Sequence, residues 1–229
     1  MTTKPNEQSI VMLGASGAVG TAALNFLLSL KNIQQLTLLG RNPIPNVNAD
    51  FVKQYKINIH EPKSYLDYLP GHRSAICTLG VGEPSKISKE EFIKIDKTAV
   101  LNFAIACKNA GVKHFELLAS VGIHAESRFF YLRAKGELVE ALKDLNFDRL
   151  SIFQPSMILT PTNRYGLSQA ITLKVWPYLN PLLIGGLRKY RGIPVDVLGQ
   201  AMANNIFNNG KGYEILQWDQ FYSVTKKRN

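Results

Sequence analysis

Short apolar runs alternate along this chain with longer stretches in which apolar residues return every three or four positions. The runs lie at Ile10 to Leu13, Leu36 to Leu39, Lys56 to Ile59, Ala75 to Leu79, Phe115 to Ala119 and Arg149 to Phe153, with a late one near Tyr213 to Leu216. Each has the length of a strand buried on both faces. Helical periodicity marks Ala18 to Leu30, Ser64 to Tyr68, Lys89 to Asn109, Phe130 to Leu145 and Val197 to Asn208, with stops at Asn32, Ala110-Gly111 and Asn209-Gly210. Strands that alternate with helices predict an α/β protein built on a doubly wound, mainly parallel sheet. The alternation breaks between Ser156 and Gly192, where Pro161, Pro177, Pro181, Gly185 and Gly186 stand among large apolar residues. That stretch, about 156–192, reads as a small apolar cap within a single domain spanning 1–229.

Composition narrows the class. Of 229 residues, 45% are hydrophobic and 19% charged, which is ordinary for a globular protein and excludes a disordered one. No run of eighteen apolar residues occurs, so no transmembrane segment is expected. The polar beginning, MTTKPNEQS, does not read as a signal peptide. Cys77 and Cys107 form no C-x-x-C pair and have no histidine at ligand spacing; with His60, His72, His114 and His124 dispersed, neither a disulfide nor a metal site is expected. A reducing, cytoplasmic compartment is the expectation. The net charge of +10 invites an anionic partner. Its lysines and arginines are scattered, without an aromatic-interleaved stripe, so a phosphate-bearing small ligand is expected and nucleic acid is not.

Residues 14 to 20 read GASGAVG, directly after an apolar run and before a helical one. In that context Gly14 permits a tight turn, Gly17 lets phosphates approach the helix start and Gly20 lets the helix lie close on the sheet. Backbone N–H groups of Ser16 to Val19 would then face a diphosphate, the arrangement of a dinucleotide-binding Rossmann fold. Where sites for the unphosphorylated ribose place an acid, at the end of the second strand, this chain has Gly40-Arg41-Asn42, and no Asp or Glu stands between Glu7 and Asp50. Arg41 suits a 2′-phosphate, which favours NADP over NAD. Leu79 and Gly80, ending the fourth strand, are small enough in backbone profile to pass beside the adenosine ribose and diphosphate.

Tyr131 and Lys135, four apart in FFYLRAKGELVEAL, share one face of a helix. A phenol beside an ammonium can exchange a proton with a substrate oxygen, and Lys135 could also hold ribose hydroxyls. The spacing alone is weak, because Tyr222 and Lys226 repeat it in a polar C-terminal tail. Position separates them: Tyr131 opens the helix after the fifth strand, eleven residues beyond Ser120. Ser120 is placed to hydrogen-bond the substrate oxygen, with Ser127 a competing hydroxyl.

GASGAVG, Arg41, Ser120 and Tyr131-x-x-x-Lys135 together resemble the short-chain dehydrogenase/reductase superfamily. VKHFELLASVG, FFYLRAKGE and FDRLSIFQPSMIL resemble its atypical branch, the HIV Tat-interacting oxidoreductase-like proteins. The resemblance implies NADPH binding through Ser16, Gly17, Ala18, Val19, Arg41, Asn42, Leu79 and Gly80, with Tyr131 as proton donor or acceptor and Lys135 assisting. It also implies that Ile158 offers backbone to the nicotinamide. Two departures stand out: Ala119-Ser120 where relatives commonly carry paired serines, and Gln154-Pro155 where they carry Arg-Pro.

These readings combine into an NADP-dependent oxidoreductase that moves a hydride between nicotinamide and a small carbonyl or alcohol. The alternative is a catalytically silent NADPH-binding redox sensor. The apolar cap residues Trp176, Tyr178, Leu179, Leu182, Leu183 and Ile184, followed by Arg188, Lys189 and Arg191, leave three roles open: a substrate lid, a subunit interface and a peripheral membrane contact. Monomer and homodimer stay open with them.

Overall fold

The computed structural model describes residues 7–161, 176 and 180–226. Seven strands form one parallel sheet: β1 (Gln8–Leu13), β2 (Ile33–Gly40), β3 (Val52–Lys56), β4 (Ser74–Cys77), β5 (His114–Leu118), β6 (Arg149–Phe153) and, last in the chain, β9 (Gly212–Leu216). Their order is β3-β2-β1-β4-β5-β6-β9, so the winding reverses between β1 and β4. A second, two-stranded parallel sheet pairs β7 (Ile158–Leu159) with β8 (Ile193–Pro194) and brackets the cap segment. This is the doubly wound fold that the alternation of patterns predicts.

The central strands are apolar on both faces because helices cover both. Along β1 the side chains divide with period two. Ile10 and Met12 pack with Ala23, Leu27 and Met202, whereas Val11 and Leu13 pack with Phe103, Cys107 and Phe115. The first face belongs to α1 (Ala18–Ser29), α5 (Val195–Asn205) and α6 (Trp218–Lys226). The second is covered by a long helical stretch, Lys89–Asn109, and by α4 (Phe130–Asp144). Within the long stretch, α2 (Lys89–Phe92) passes through a π-helical segment, Ile93–Ala99, into α3 (Val100–Asn109). Ser88 caps its start, accepting the Glu91 N–H at 3.1 Å.

Three expectations need correction. The third strand is Val52–Lys56 rather than Lys56 to Ile59. An edge strand has one neighbour and little apolar demand, so its sequence signal is weak, while the alternation of Tyr55, Ile57 and Ile59 arises because the chain leaves the sheet and tucks Ile57 into the core, 5% exposed. Ser64 to Tyr68 forms no α-helix but two 3₁₀ turns, Pro62–Ser64 and Leu66–Tyr68, around the buried Tyr65. The supposed polar tail is α6, held because Phe221 is buried and stacks on Phe153 at 5.9 Å between ring centroids. Tyr222 lies against Trp218.

Of the cap residues, Pro177, Tyr178 and Leu179 lie outside the described residues. Leu182 and Ile184 are exposed, while Arg188 pairs with Asp219, and Arg188 and Arg191 cover the Trp218 ring. Cys77 and Cys107 are buried free thiols, and burial pushes Cys77 up to about 12. No helix among the described residues is long and apolar enough to cross a membrane.

Candidate functional site

Where β1 and β4 part, a cleft of about 830 Å³ opens at the carboxyl edge of the sheet. This crevice is the place where open α/β sheets take ligands. Gly14 turns out of β1 at φ +93°, a left-handed conformation, and a side chain there would strike the backbone of Thr78 and Leu79. Thr78 donates its hydroxyl to the Gly14 carbonyl at 2.9 Å, pinning the turn to the end of β4. Gly20 has no room for a Cβ against that same carbonyl, so α1 can lie close on the strand. Gly17 differs. A Cβ there would meet only the Gly14 carbonyl, at 3.3 Å, and would otherwise project into open space.

Of the residues singled out in the sequence, Gly14, Ser16, Gly17, Arg41, Asn42, Leu79 and Gly80 line the cleft. Ala18, Val19, Gly20, Ser120, Tyr131, Lys135 and Ile158 are not among its lining residues; the first three form the first turn of α1, with Val19 and Gly20 buried beneath it. Ile158, in β7, packs half-buried on the α1 side of the sheet. Lys56, His60 and Lys86 also line the cleft. No motif contains them, and only the pairing of β3 with β2, which sets Lys56 opposite Gly40, brings Lys56 there. The acids of the cleft are Glu83 and Glu91, and Glu83 is paired with Lys86 at 2.6 Å.

Tyr131 and Lys135 face one another on α4, the ammonium 5.7 Å from the ring centroid, and Phe92 packs on the same ring at 5.3 Å. Lys135 is buried, 7% exposed, and makes an ion pair that sequence reasoning missed: its Nζ lies 2.8 Å from Oδ1 of Asp96. Asp96 sits in the π-helical segment, 2% exposed, and its Oδ2 accepts the Val81 N–H at 2.8 Å. Burial alone would lower the ammonium's pKa; Tyr131 and Asp96 outweigh it and hold the group above the usual lysine value. A signal for Asp96 was present. It stands in stride with the buried Phe92 and Val100, a lone charge on an apolar helical face.

Ser120 is half-buried just past β5, its hydroxyl 3.5 Å from the carbonyl of Val121. At that length the bond is weak and leaves the hydroxyl available. Ser127 is committed to the local turn, accepting the Phe129 N–H at 3.2 Å. Gln154 is buried and accepts from Gln217 at 3.0 Å, so its amide is engaged at the sheet end.

Fold and cleft define a protein of the Rossmann-type α/β fold with a crevice at the switch point of its sheet. A solved structure titled MoeE5 in complex with UDP-glucuronic acid and NAD superimposes with a TM-score of 0.70 at 14% identity, covering 91% of this chain and 75% of that one. A putative epimerase from Bacteroides thetaiotaomicron matches at 0.62 and 18% identity, over 93% and 97%. The chain is 31% identical to Protein HTATIP2 of Rattus norvegicus over 222 residues, which is 93% of this chain and 88% of that protein, and it belongs to the HTATIP2 family. Protein FMP52-1, mitochondrial, of Scheffersomyces stipitis is 30% identical over 216 residues, 91% and 85% of the two chains. No family model matches.

Proposed function

We propose that this protein is an NADP(H)-dependent oxidoreductase acting on a small carbonyl or alcohol. The observation that carries the reading is the cleft itself: the start of α1 opens into it at Gly17, with Arg41 exposed at its β2 side and no acid on that side. The residues present fit a dinucleotide. Gly17, whose own N–H donates to the Gly14 carbonyl at 3.0 Å, leaves the open space that a diphosphate needs, and the helix N-terminus that follows it favours an anion there. Arg41, with Asn42 beside it, suits the 2′-phosphate, and Leu79 and Gly80 border the adenosine side.

When bound, the nicotinamide supplies or accepts a hydride. The chain's own part is the proton and the placement. Tyr131 gives a proton to the substrate oxygen or takes one from it, with the Lys135 ammonium beside its ring. Ser120 donates to the same oxygen, and Ile158 offers backbone to the nicotinamide side.

The test is a fluorescence titration of the purified protein with NADPH and NADH, followed by a turnover screen with aldehydes, ketones and quinones. Tight NADPH binding, weaker NADH binding and oxidation of NADPH with at least one substrate are expected. Absence of NADPH binding overturns the proposal; equal affinity for NADH removes the NADP assignment. NADPH binding without turnover across the panel supports the silent sensor instead.

A further inference from the structure

Asp96 belongs to no motif, yet three parts of the site meet on its carboxylate. One oxygen takes the ammonium of Lys135 at 2.8 Å, and the other takes the backbone N–H of Val81 at 2.8 Å. Val81 continues the loop whose residues Leu79 to Gly82 line the cleft, and Lys135 leads on to the ring of Tyr131. The neighbouring Gly80 is shaped to this carboxylate, since a Cβ on it would stand 3.0 Å from Oδ1. A π-helical segment widens the helix at this point and turns the residue inward.

We infer that Asp96 is a positioning residue for the proposed site: its buried carboxylate holds the Lys135 ammonium beside Tyr131 and fastens it to the loop that borders the cleft. The inference rests on the dinucleotide reading for its consequence, and on the contacts alone for the joint. Both side chains are almost wholly buried, so neither has water to replace the other. A buried ammonium deprived of its carboxylate loses its proton more readily or moves towards solvent. Either change takes the positive charge away from Tyr131. The groups facing Lys135 are Asp96 on the long helical stretch, Tyr131 on its own helix and the Cys77 thiol on β4. Of these Asp96 is the group in direct contact with the ammonium, while burial pushes the Cys77 thiol up to about 12.

The experiment labels the full chain with ¹³Cε-lysine and follows Lys135 by NMR as pH is raised, without cofactor, assigning its signal by its absence in Lys135→Met. In Asp96→Asn the Lys135 midpoint should fall by about one pH unit or more. Gly80→Ala, which crowds the carboxylate from the loop side, should move it in the same direction by less. NADPH titrated into Asp96→Asn should bind about five- to tenfold more weakly than to the wild type. Should Asp96→Asn fail to fold, the double variant Asp96→Asn with Lys135→Met, which removes both charges, should melt at a higher temperature than the single one, as a buried pair requires.

An unchanged Lys135 midpoint in folded Asp96→Asn overturns the inference, as does a double variant no more stable than the single. A lowered midpoint with NADPH affinity unchanged overturns the positioning role. If the wild type binds no NADPH, the proposed function falls instead, and the cofactor-free titration still judges the joint.

Discussion

Arg41 lies exposed at the end of β2 and enters none of the ion pairs formed among the described residues. Such a guanidinium is available to a ligand at little cost. Replacing it with Ala should remove a charge-assisted contact of about 1.5 to 3 kcal/mol and weaken NADPH roughly ten- to a hundredfold, leaving NADH nearly unchanged. Calorimetric titration of both cofactors checks this. Tyr131→Phe keeps the ring that packs on Phe92 and loses only the hydroxyl. Turnover should fall by about 10² to 10⁴ while NADPH affinity holds. Tyr222→Phe, at the duplicate spacing on α6, should change neither, since that ring rests on Trp218. Both residues could be picked out in the sequence, because a motif depends on residue type and spacing. Asp96 was harder to find. Its meaning comes from a lysine thirty-nine positions away and a backbone N–H on another loop.

At the scale of elements, α1 and α5 approach so closely that glycine is required between them. A Cβ on Gly199 would lie 2.5 Å from the Ala22 Cβ and 2.6 Å from the Ala23 nitrogen. Gly199→Val should therefore force the two helices apart and cost about 1 to 3 kcal/mol, read as a lower urea midpoint with the slope unchanged. NADPH affinity should also drop, since the same α1 starts from Gly17, which lines the cleft. The central strands and long helices were legible from periodicity because each is buried by its own sequence pattern. The edge strand β3 and helix α6 were not. A strand with one neighbour carries little apolar signal, and α6 shows only Phe221 and Val224 as buried residues in an otherwise polar stretch.

Across the whole molecule, the far half of the sheet is joined by a polar network that the site does not use. Arg149 on β6 reaches Glu214 on β9 and both the carbonyl and the side chain of Asn205 on α5; Asn205 in turn donates to Glu116 on β5 at 2.9 Å, and His114 meets Ser151 at 2.8 Å. Burial pushes Glu116 well above the ordinary carboxylate range, against the pull of Asn205 and Arg149. Burial and the Arg149 charge push His114 down to about 3. The signs oppose. The native chain keeps the Glu116 proton that the unfolded chain releases above about 4.5, so this group's contribution falls as pH rises. The unfolded chain binds a His114 proton below about 6.5 that the native one refuses until about 3, so that contribution falls as pH drops. Of these two groups only Glu116 contributes a slope above pH 6.5, as far as its own raised value. Glu116→Gln should then lose less melting temperature than the wild type as pH rises above 6.5, which differential scanning fluorimetry across a pH series would show.

The order of the central strands and long helices, the glycine turn, the arginine after β2 and the Tyr-Lys pair were determined by the sequence alone. Each depends on neighbours a few residues apart, and periodicity, turn chemistry and helical spacing are local properties. Only the tertiary structure decided what those residues meet. It placed Lys56, His60 and Lys86 around the cleft, set Thr78 against the Gly14 carbonyl and brought Asp96 between Lys135 and Val81. Such contacts join segments tens of residues apart, through strand register and a π-helical segment, and a burial pattern read along one chain does not record which distant group stands opposite.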